Sequence, residues 1–275
     1  RLEGRGRHRP VLAERDVAHA VVAQRVGPEA VDDGLGCARG RDQGATLSRS
    51  GTAGAQRYPG HWAGDTPSSW YGLRTAVRTC LSLSLSGFTY VASDIGGFWT
   101  ADGLERANQA FAELSGAAFD ADVDPELFAR WAQWGALSGL MRFHGVGVRE
   151  PWAYPEPYRS VAIEACRLRG RLGEDLRWAA EEAHGMGVPL MRPMVLAFPG
   201  DRAARDAELQ YLLGPHILVA PVLRPGGGLR LWVPPGRWDP VAGAAPVSGP
   251  GWRELSLDLA AVPAWRAYGG REPDA

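Results

Sequence analysis

The sequence predicts an α/β protein in which strands and helices alternate to build a parallel barrel or open sheet. Antiparallel β structure is appended behind it, and an irregular or disordered N-terminal segment leads in. Three observations carry this prediction. Strand-like and helix-like runs follow one another from Thr46 onward. Past Asp201 the texture changes to short β runs separated by Pro/Gly stretches. Before Tyr58, by contrast, there is no Phe, Trp or Tyr. The expected division is 1–45, 46–200 and 201–275.

The segment from Arg1 to about Asp42 is rich in Arg, Gly, Ala and Val, with only a weak helical pattern around Val17 to Val26. Such a composition buries too little apolar area to offset its ordering entropy. It reads as a solvated tail, or as GC-rich DNA translated out of frame ahead of a genuine domain. A basic RNA-binding arm is the functional alternative, although no aromatic is present for base stacking.

Thr46-Leu-Ser-Arg49-Ser50 is expected to form a short buried strand, and Ser69 to Ser84 an amphipathic helix. Gly87-Phe-Thr-Tyr-Val-Ala-Ser93 is β-rich and ends at Asp94-Ile-Gly-Gly97. A polar residue thus falls at the carboxyl end of a strand, where α/β barrels carry their chemistry. A loop with helical character, Ala101 to Asp124, leads into a helix from Pro125 to Trp134. Leu137 to Met141 is the next strand candidate, with Arg142-Phe-His144-Gly145 at its end. A helix from Ser160 to His184 and a strand from Val188 to Val195 follow. Tyr211 to Leu223, Leu229 to Val233 and Trp252 to Leu257 are the later β runs, split at Pro225-Gly-Gly-Gly and Pro235-Gly-Arg-Trp238.

The 275 residues carry a formal net charge of −1, which gives no electrostatic reason to expect nucleic acid or an anionic membrane as partner. All the cationic side chains are Arg, a compositional bias expected of a GC-rich genome. Three isolated cysteines, Cys37, Cys80 and Cys166, make a disulfide framework or a zinc site unexpected. No leader-like pattern and no run of 18 apolar residues occurs, so a cytoplasmic location is the expectation.

The chemistry is concentrated in Tyr58-Pro-Gly-His-Trp-Ala-Gly-Asp65-Thr-Pro-Ser-Ser-Trp70. Trp62 and Trp70 offer flat apolar faces suited to a pyranose ring, and Gly60 and Gly64 allow close backbone approach to a ligand. Asp65 is either a general acid among aromatics or the cap of a helix starting near Ser68. Arg49, Asp65, Asp94 and the pair Arg142 and His144 fall at or near the ends of predicted strands, which a barrel gathers on one rim. Two carboxylates, two guanidiniums and an imidazole beside indoles suit a polyhydroxylated ligand. Arg49 could instead pair with Asp94 to hold adjacent strands, and His144 could be a satisfied core histidine.

These residues resemble the family 31 glycoside hydrolases, the α-glucosidase and α-xylosidase family. The match is carried by Ser48-Arg49-Ser50, Arg57-Tyr-Pro-Gly-His-Trp-Ala-Gly-Asp65, Ser86-Gly-Phe88, Ser93-Asp-Ile-Gly-Gly-Phe98 and Met141-Arg-Phe-His144-Gly145. Gly187-Val-Pro-Leu-Met-Arg-Pro resembles the family's last barrel strand. Tyr211-Leu-Leu-Gly and Leu218-Val-Ala-Pro-Val resemble the start of its proximal C-terminal β-domain. The resemblance implies the C-terminal half of a (β/α)8 TIM barrel followed by an antiparallel β-domain. It also implies retaining hydrolysis of a terminal α-linked sugar in an oligosaccharide or α-glycoside, without metal or other cofactor. Asp65 would be the acid/base, Trp62 and Phe98 would wall the subsite, Arg49, Asp94 and Arg142 would hold substrate, and His144 would bond hydroxyls beside the reacting carbon. Ser-Ser-Trp70 inclines the match toward glucosides over xylosides.

The family's nucleophile lies in a Trp-x-Asp-x-x-Glu or Lys-Thr-Asp-Phe-Gly-Glu motif, and nothing from Arg1 to Arg49 matches either; Asp32-Asp33-Gly34 lacks the strand that should precede it. The chain is therefore expected to be a fragment of a longer enzyme, inactive alone. A non-catalytic carbohydrate-binding protein of the same fold is the alternative.

Overall fold

The computed structural model describes residues 47–49, 51–58, 60–100 and 123–269. The N-terminal segment with Asp32 and Asp33, and the loop of helical character ahead of Val123, lie outside the described residues. Three short parallel strands, β1 (Leu47–Ser48), β2 (Gly60–Trp62) and β3 (Tyr90–Ala92), form one sheet in that order. Parallel neighbours require a crossover, and helix α1 (Trp70–Leu85) supplies it between β2 and β3. Ser69 begins the helix, its side-chain oxygen accepting the Gly72 N–H at 3.0 Å. Leu73, Ala76, Val77, Cys80, Leu81 and Ser84 recur at helical spacing and are all buried, so one stripe of α1 covers the sheet.

The expected strand at Thr46–Ser50 exists as β1 but is not buried. It is the edge of its sheet, and Leu47 is 36% exposed. The strand expected over Leu137–Met141 shrinks to a single parallel bridge between Asp94 and Arg142. The Ser138 hydroxyl, held between the carbonyls of Gly135 and Leu140, turns the chain there instead of letting it extend.

Helix α2 (Pro125–Ala136) follows the Asp124 cap, whose carboxylate accepts the Leu127 N–H at 2.8 Å. From Leu127 to Ala136 every residue is buried, including Arg130 and Gln133. A helix covered all round needs partners on both sides. On one side lies the core around Val91 and Leu73. On the other, Arg130 donates to the Leu257 carbonyl at 2.9 Å and Gln133 donates to the Leu259 carbonyl at 2.8 Å. The helix expected from Ser160 to His184 is two helices, α3 (Tyr158–Arg171) and α4 (Gly173–Met186). They meet at Leu172, whose ψ of 5° departs from helical geometry between Gly170 and Gly173.

Strand β4 (Met191–Pro193) forms where a strand was expected, but its partner is the antiparallel β5 (Tyr211–Leu213), not a parallel barrel strand. Two short helices, α5 (Met194–Ala197) and α6 (Arg202–Asp206), separate the two strands. With β6 (Ile217–Val219), β7 (Gly228–Pro240), β8 (Val247–Ser256) and β9 (Ala264–Ala267), they form a six-stranded antiparallel sheet of order β4-β5-β6-β9-β7-β8. The predicted turn at Pro235-Gly-Arg-Trp238 is instead a bulge inside β7, with the register against β8 shifting between Val233 and Gly236. Pro lacks a ladder donor, and a bulge tolerates that loss without ending the strand. No helix among the described residues is long and apolar enough to cross a membrane.

Candidate active site

Arg49 follows β1 by one residue, Asp65 follows β2 by three and Asp94 follows β3 by two. Because the strands are parallel, all three emerge at the same rim. The Asp94–Arg142 bridge brings Arg142 to that rim, and His144 lies two residues beyond. Sequence and topology thus bring Arg49, Asp65, Asp94, Arg142 and His144 together, without the alternative pairing of Arg49 with Asp94.

Arg49 pairs with Asp65, not with Asp94: its Nη1 stands 3.0 Å from Oδ2, with the side chains 54% and 26% exposed. Asp65 does not cap α1, since Ser69 does. Gly64, at φ +81°, leaves room for this pair; a Cβ there would lie 3.2 Å from Arg49 Nε. The bare face of Gly64 is therefore taken up by Arg49 instead of lying open to a ligand.

Asp94 is fully buried, and Arg142 Nε lies 2.9 Å from its Oδ1. The two are close but poorly aimed, so among the described residues neither carboxylate oxygen of Asp94 has a hydrogen-bond partner. Burial pushes the Asp94 carboxyl up to about 6, the Arg142 guanidinium opposing that rise and the Asp65 charge adding to it. Arg142 also stacks over Trp62, 5.1 Å from the ring centroid, and Trp62 Nε1 is buried with no partner among the described residues. Phe98 packs edge-on against Trp99 at 4.7 Å and tilts against the His144 ring at 5.4 Å. Desolvation, and after it the Arg142 guanidinium, hold the His144 imidazole below its usual range, so it is neutral near pH 7. Trp70, one of the two expected sugar platforms, packs against the core at the start of α1.

One prediction follows from the buried carboxylate. Asp94 holds its proton more tightly folded than at its ordinary value of 3.8, so it favours the fold at low pH. That contribution disappears as pH rises from about 4 to about 6. Asp94→Asn carries no charge, and its stability relative to native is expected to rise across this window, by on the order of 2 kcal/mol. Urea unfolding near pH 4 and near pH 7 measures it, and a difference independent of pH would refute it.

Sequence reasoning passed over Arg149, which is buried at 5% exposure beside this rim. Its partners are mostly backbone carbonyls, which no residue pattern reveals. His61 on β2 lies in the same sequence stretch as Asp65 but was given no role: among the described residues both its ring nitrogens are buried without partners, the ring packs edge-on to Phe88 at 4.3 Å, and burial lowers its pKa. Among the described residues no three His, Cys, Asp or Glu side chains gather as a metal site.

Comparison with known proteins decides the family. The model of the glycosyl hydrolases family 31 TIM-barrel domain matches residues 17–174, more than half of the chain. The chain belongs to glycoside hydrolase family 31. The family 31 C-terminal domain matches residues 187–265. An alpha-xylosidase of Emericella nidulans is 34% identical over 71% of this chain and 22% of its own length. Alpha-glucosidase 2 of Bacillus thermoamyloliquefaciens is 31% identical over 79% of this chain and 25% of its own. This family 31 chain therefore spans about a quarter of the length of these curated relatives. Among solved structures, a family 31 alpha-xylosidase from a soil metagenome, complexed with xylose, superposes with a TM-score of 0.69 at 30% identity, over 81% of this chain and 34% of its own. A family 31 dextranase of Flavobacterium johnsoniae, complexed with glucose, gives 0.71 at 26% identity, over 82% of this chain and 27% of its own.

Proposed function

We propose that this chain supplies the acid/base residue and the sugar-holding wall of a retaining α-glycosidase that cleaves terminal α-linked glucose or xylose from an oligosaccharide. The observation that carries this reading is the placement of Asp65 at a strand end, anchored by Arg49, partly exposed, and within electrostatic reach of both Asp94 and His144. An acid/base residue must exchange protons with a leaving oxygen and then with water, which a carboxyl left 26% exposed can do. In retaining hydrolysis a second carboxylate attacks the anomeric carbon from about 5 to 5.5 Å away. No Trp-x-Asp-x-x-Glu run occurs in the sequence, so that nucleophile is assigned to a part of the protein other than this chain.

The remaining roles follow from chemistry. Asp94, whose Oδ1 is ion-paired with Arg142 but whose oxygens accept no hydrogen bond among the described residues, would accept hydrogen bonds from sugar hydroxyls, and Arg142 would donate to them. Arg49 would steady Asp65 and reach the substrate from the same side. Trp62 and Phe98 would face the ring, and neutral His144 would bond hydroxyls next to the reacting carbon, where contacts that strengthen in the transition state count most. The names of the relatives, alpha-xylosidase and alpha-glucosidase, and the xylose and glucose complexes support a sugar ligand without choosing between them.

Incubation of the purified chain with 4-nitrophenyl α-glucoside and α-xyloside tests the reading. Turnover is expected to stay at background with the chain alone and to appear when a segment bearing the nucleophile motif is joined to it. Strong turnover by the chain alone, abolished by Asp65→Asn, would overturn the assignment of the nucleophile elsewhere. No turnover by the joined protein on either sugar would overturn the glycosidase reading itself.

A further inference from the structure

We infer that Arg149 is a positioning residue: its guanidinium ties together three loops at the site rim and so sets the placement of Asp65, Asp94 and His144 relative to one another. What those residues do rests on the glycosidase reading; where Arg149 stands does not.

The loops come from three places in the chain. Arg149 Nε donates to the Gly97 carbonyl at 3.1 Å and Nη2 to the Phe98 carbonyl at 3.5 Å, holding the loop that carries Asp94. Nη2 also donates to Ser68 Oγ at 3.3 Å, in the loop between Asp65 and α1. Nη1 donates to the Val148 carbonyl at 2.9 Å, fixing the arginine's own loop, which begins at His144. Val146 N donates to the Phe98 carbonyl at 2.9 Å and the Tyr154 hydroxyl to the Val148 carbonyl at 3.1 Å, so the same loops are laced a second time around the guanidinium.

This requires an arginine. Its planar fork points donors in separate directions, whereas a lysine ammonium is a single point. Burying a guanidinium costs stability unless its protons are met. Among the described residues no carboxylate forms an ion pair with Arg149, and carbonyl oxygens meet the charge instead. Burial accordingly lowers its pKa. The backbone is shaped to admit it: a Cβ on Gly145, at φ +154°, would lie 2.7 Å from Arg149 Nε and 2.8 Å from the Gly97 carbonyl oxygen.

The arrangement has two separable effects on the site. Geometrically, the Phe98 loop is held where its ring meets His144. Electrostatically, the charge of Arg149 joins Arg142 in disfavouring protonation of His144, against Asp65, which favours it. A residue that merely filled space would have the first effect at most.

The test uses the full chain, with His144 followed by NMR titration and its contact with Phe98 by nuclear Overhauser effects. In Arg149→Gly the His144 midpoint is expected to move up and the Phe98 contact to be lost. Millimolar guanidinium ion is expected to restore both, while an equal concentration of sodium does not. Arg149→Lys, which keeps the charge, covers the case of a glycine variant that fails to fold: its midpoint is expected to stay near native while the Phe98 contact weakens. A folded glycine variant with native midpoint and native contact would overturn the inference, and so would a lysine variant with the contact fully intact. Native titration and rescue behaviour without sugar hydrolysis by the joined protein would count against the glycosidase reading and leave the role of Arg149 standing.

Discussion

Asp65→Asn, in a longer protein that joins this chain to its nucleophile, is expected to lower turnover of an unactivated α-glycoside by about 10²- to 10⁴-fold. The size of the effect comes from the two steps one carboxyl serves. In the proposed reaction it would protonate the departing oxygen and then remove a proton from the attacking water. A substrate whose leaving group departs without protonation should escape the first loss but not the second. On such a substrate, steady-state turnover should still fall while the initial release of leaving group stays fast. Azide, an anion that attacks without a general base, should then restore turnover. An Asn variant within tenfold of native on every substrate would remove Asp65 from the chemistry and reduce the Arg49–Asp65 pair to an exposed ion pair of little energetic weight.

The second large effect concerns stability. Trp131 is fully buried on α2, and its Nε1 donates to Ser93 Oγ at 2.8 Å, one residue before Asp94. Trp131→Ala is expected to cost about 3–5 kcal/mol through lost contacts and an unfilled cavity. Against a typical domain stability of about 5–15 kcal/mol, that is a large fraction. Trp131→Phe keeps most of the volume and removes the hydrogen bond, so its loss should be smaller, about 1–2 kcal/mol from the unpaired Ser93 hydroxyl. Denaturant unfolding of both variants separates the two contributions. Equal losses would place the energy in the hydrogen bond instead of the packing.

Much of this was legible in the sequence because it is periodic or local. The stripe on α1 could be read from Leu73, Val77 and Leu81, and Arg49 and Asp94 could be placed at the ends of two β runs, whereas the strand Gly60–Trp62 ahead of Asp65 was not among the expected strands. What could not be read depends on contacts between distant backbones. The break at Leu172 hides within a continuous helical composition, since Gly170 and Gly173 reduce helix propensity without announcing a stop. The Pro235-Gly236 turn signal was misleading because a long partner, β8, keeps β7 paired across a bulge. The pairing of Arg49 with Asp65 and of Arg142 with Asp94, in place of the alternative Arg49–Asp94 pair, turns on a few ångströms at the rim, well below what spacing along a chain resolves. Arg149 was invisible because carbonyl acceptors are present at every position and so mark none.

The bonds from Arg130 and Gln133 on α2 to the carbonyls of Leu257 and Leu259 carry a consequence for the order of folding. Arg130 and Leu257 are 127 residues apart. On a ribosome, helix α2 emerges with the Gln133 side-chain oxygen, 3.2 Å from Arg130 Nη1, as a local acceptor, whereas the carbonyls of Leu257, Asp258 and Leu259 arrive only with the C-terminal sheet. Closing so long a loop is slow relative to local helix formation. The barrel portion is therefore expected to pass through a stage in which helix α2 is formed but hydrated on one side, becoming dry when the last strands arrive. The boundary between the two family domains marks a change of architecture; the hydrogen bonds across it make completion of the first depend on synthesis of the second.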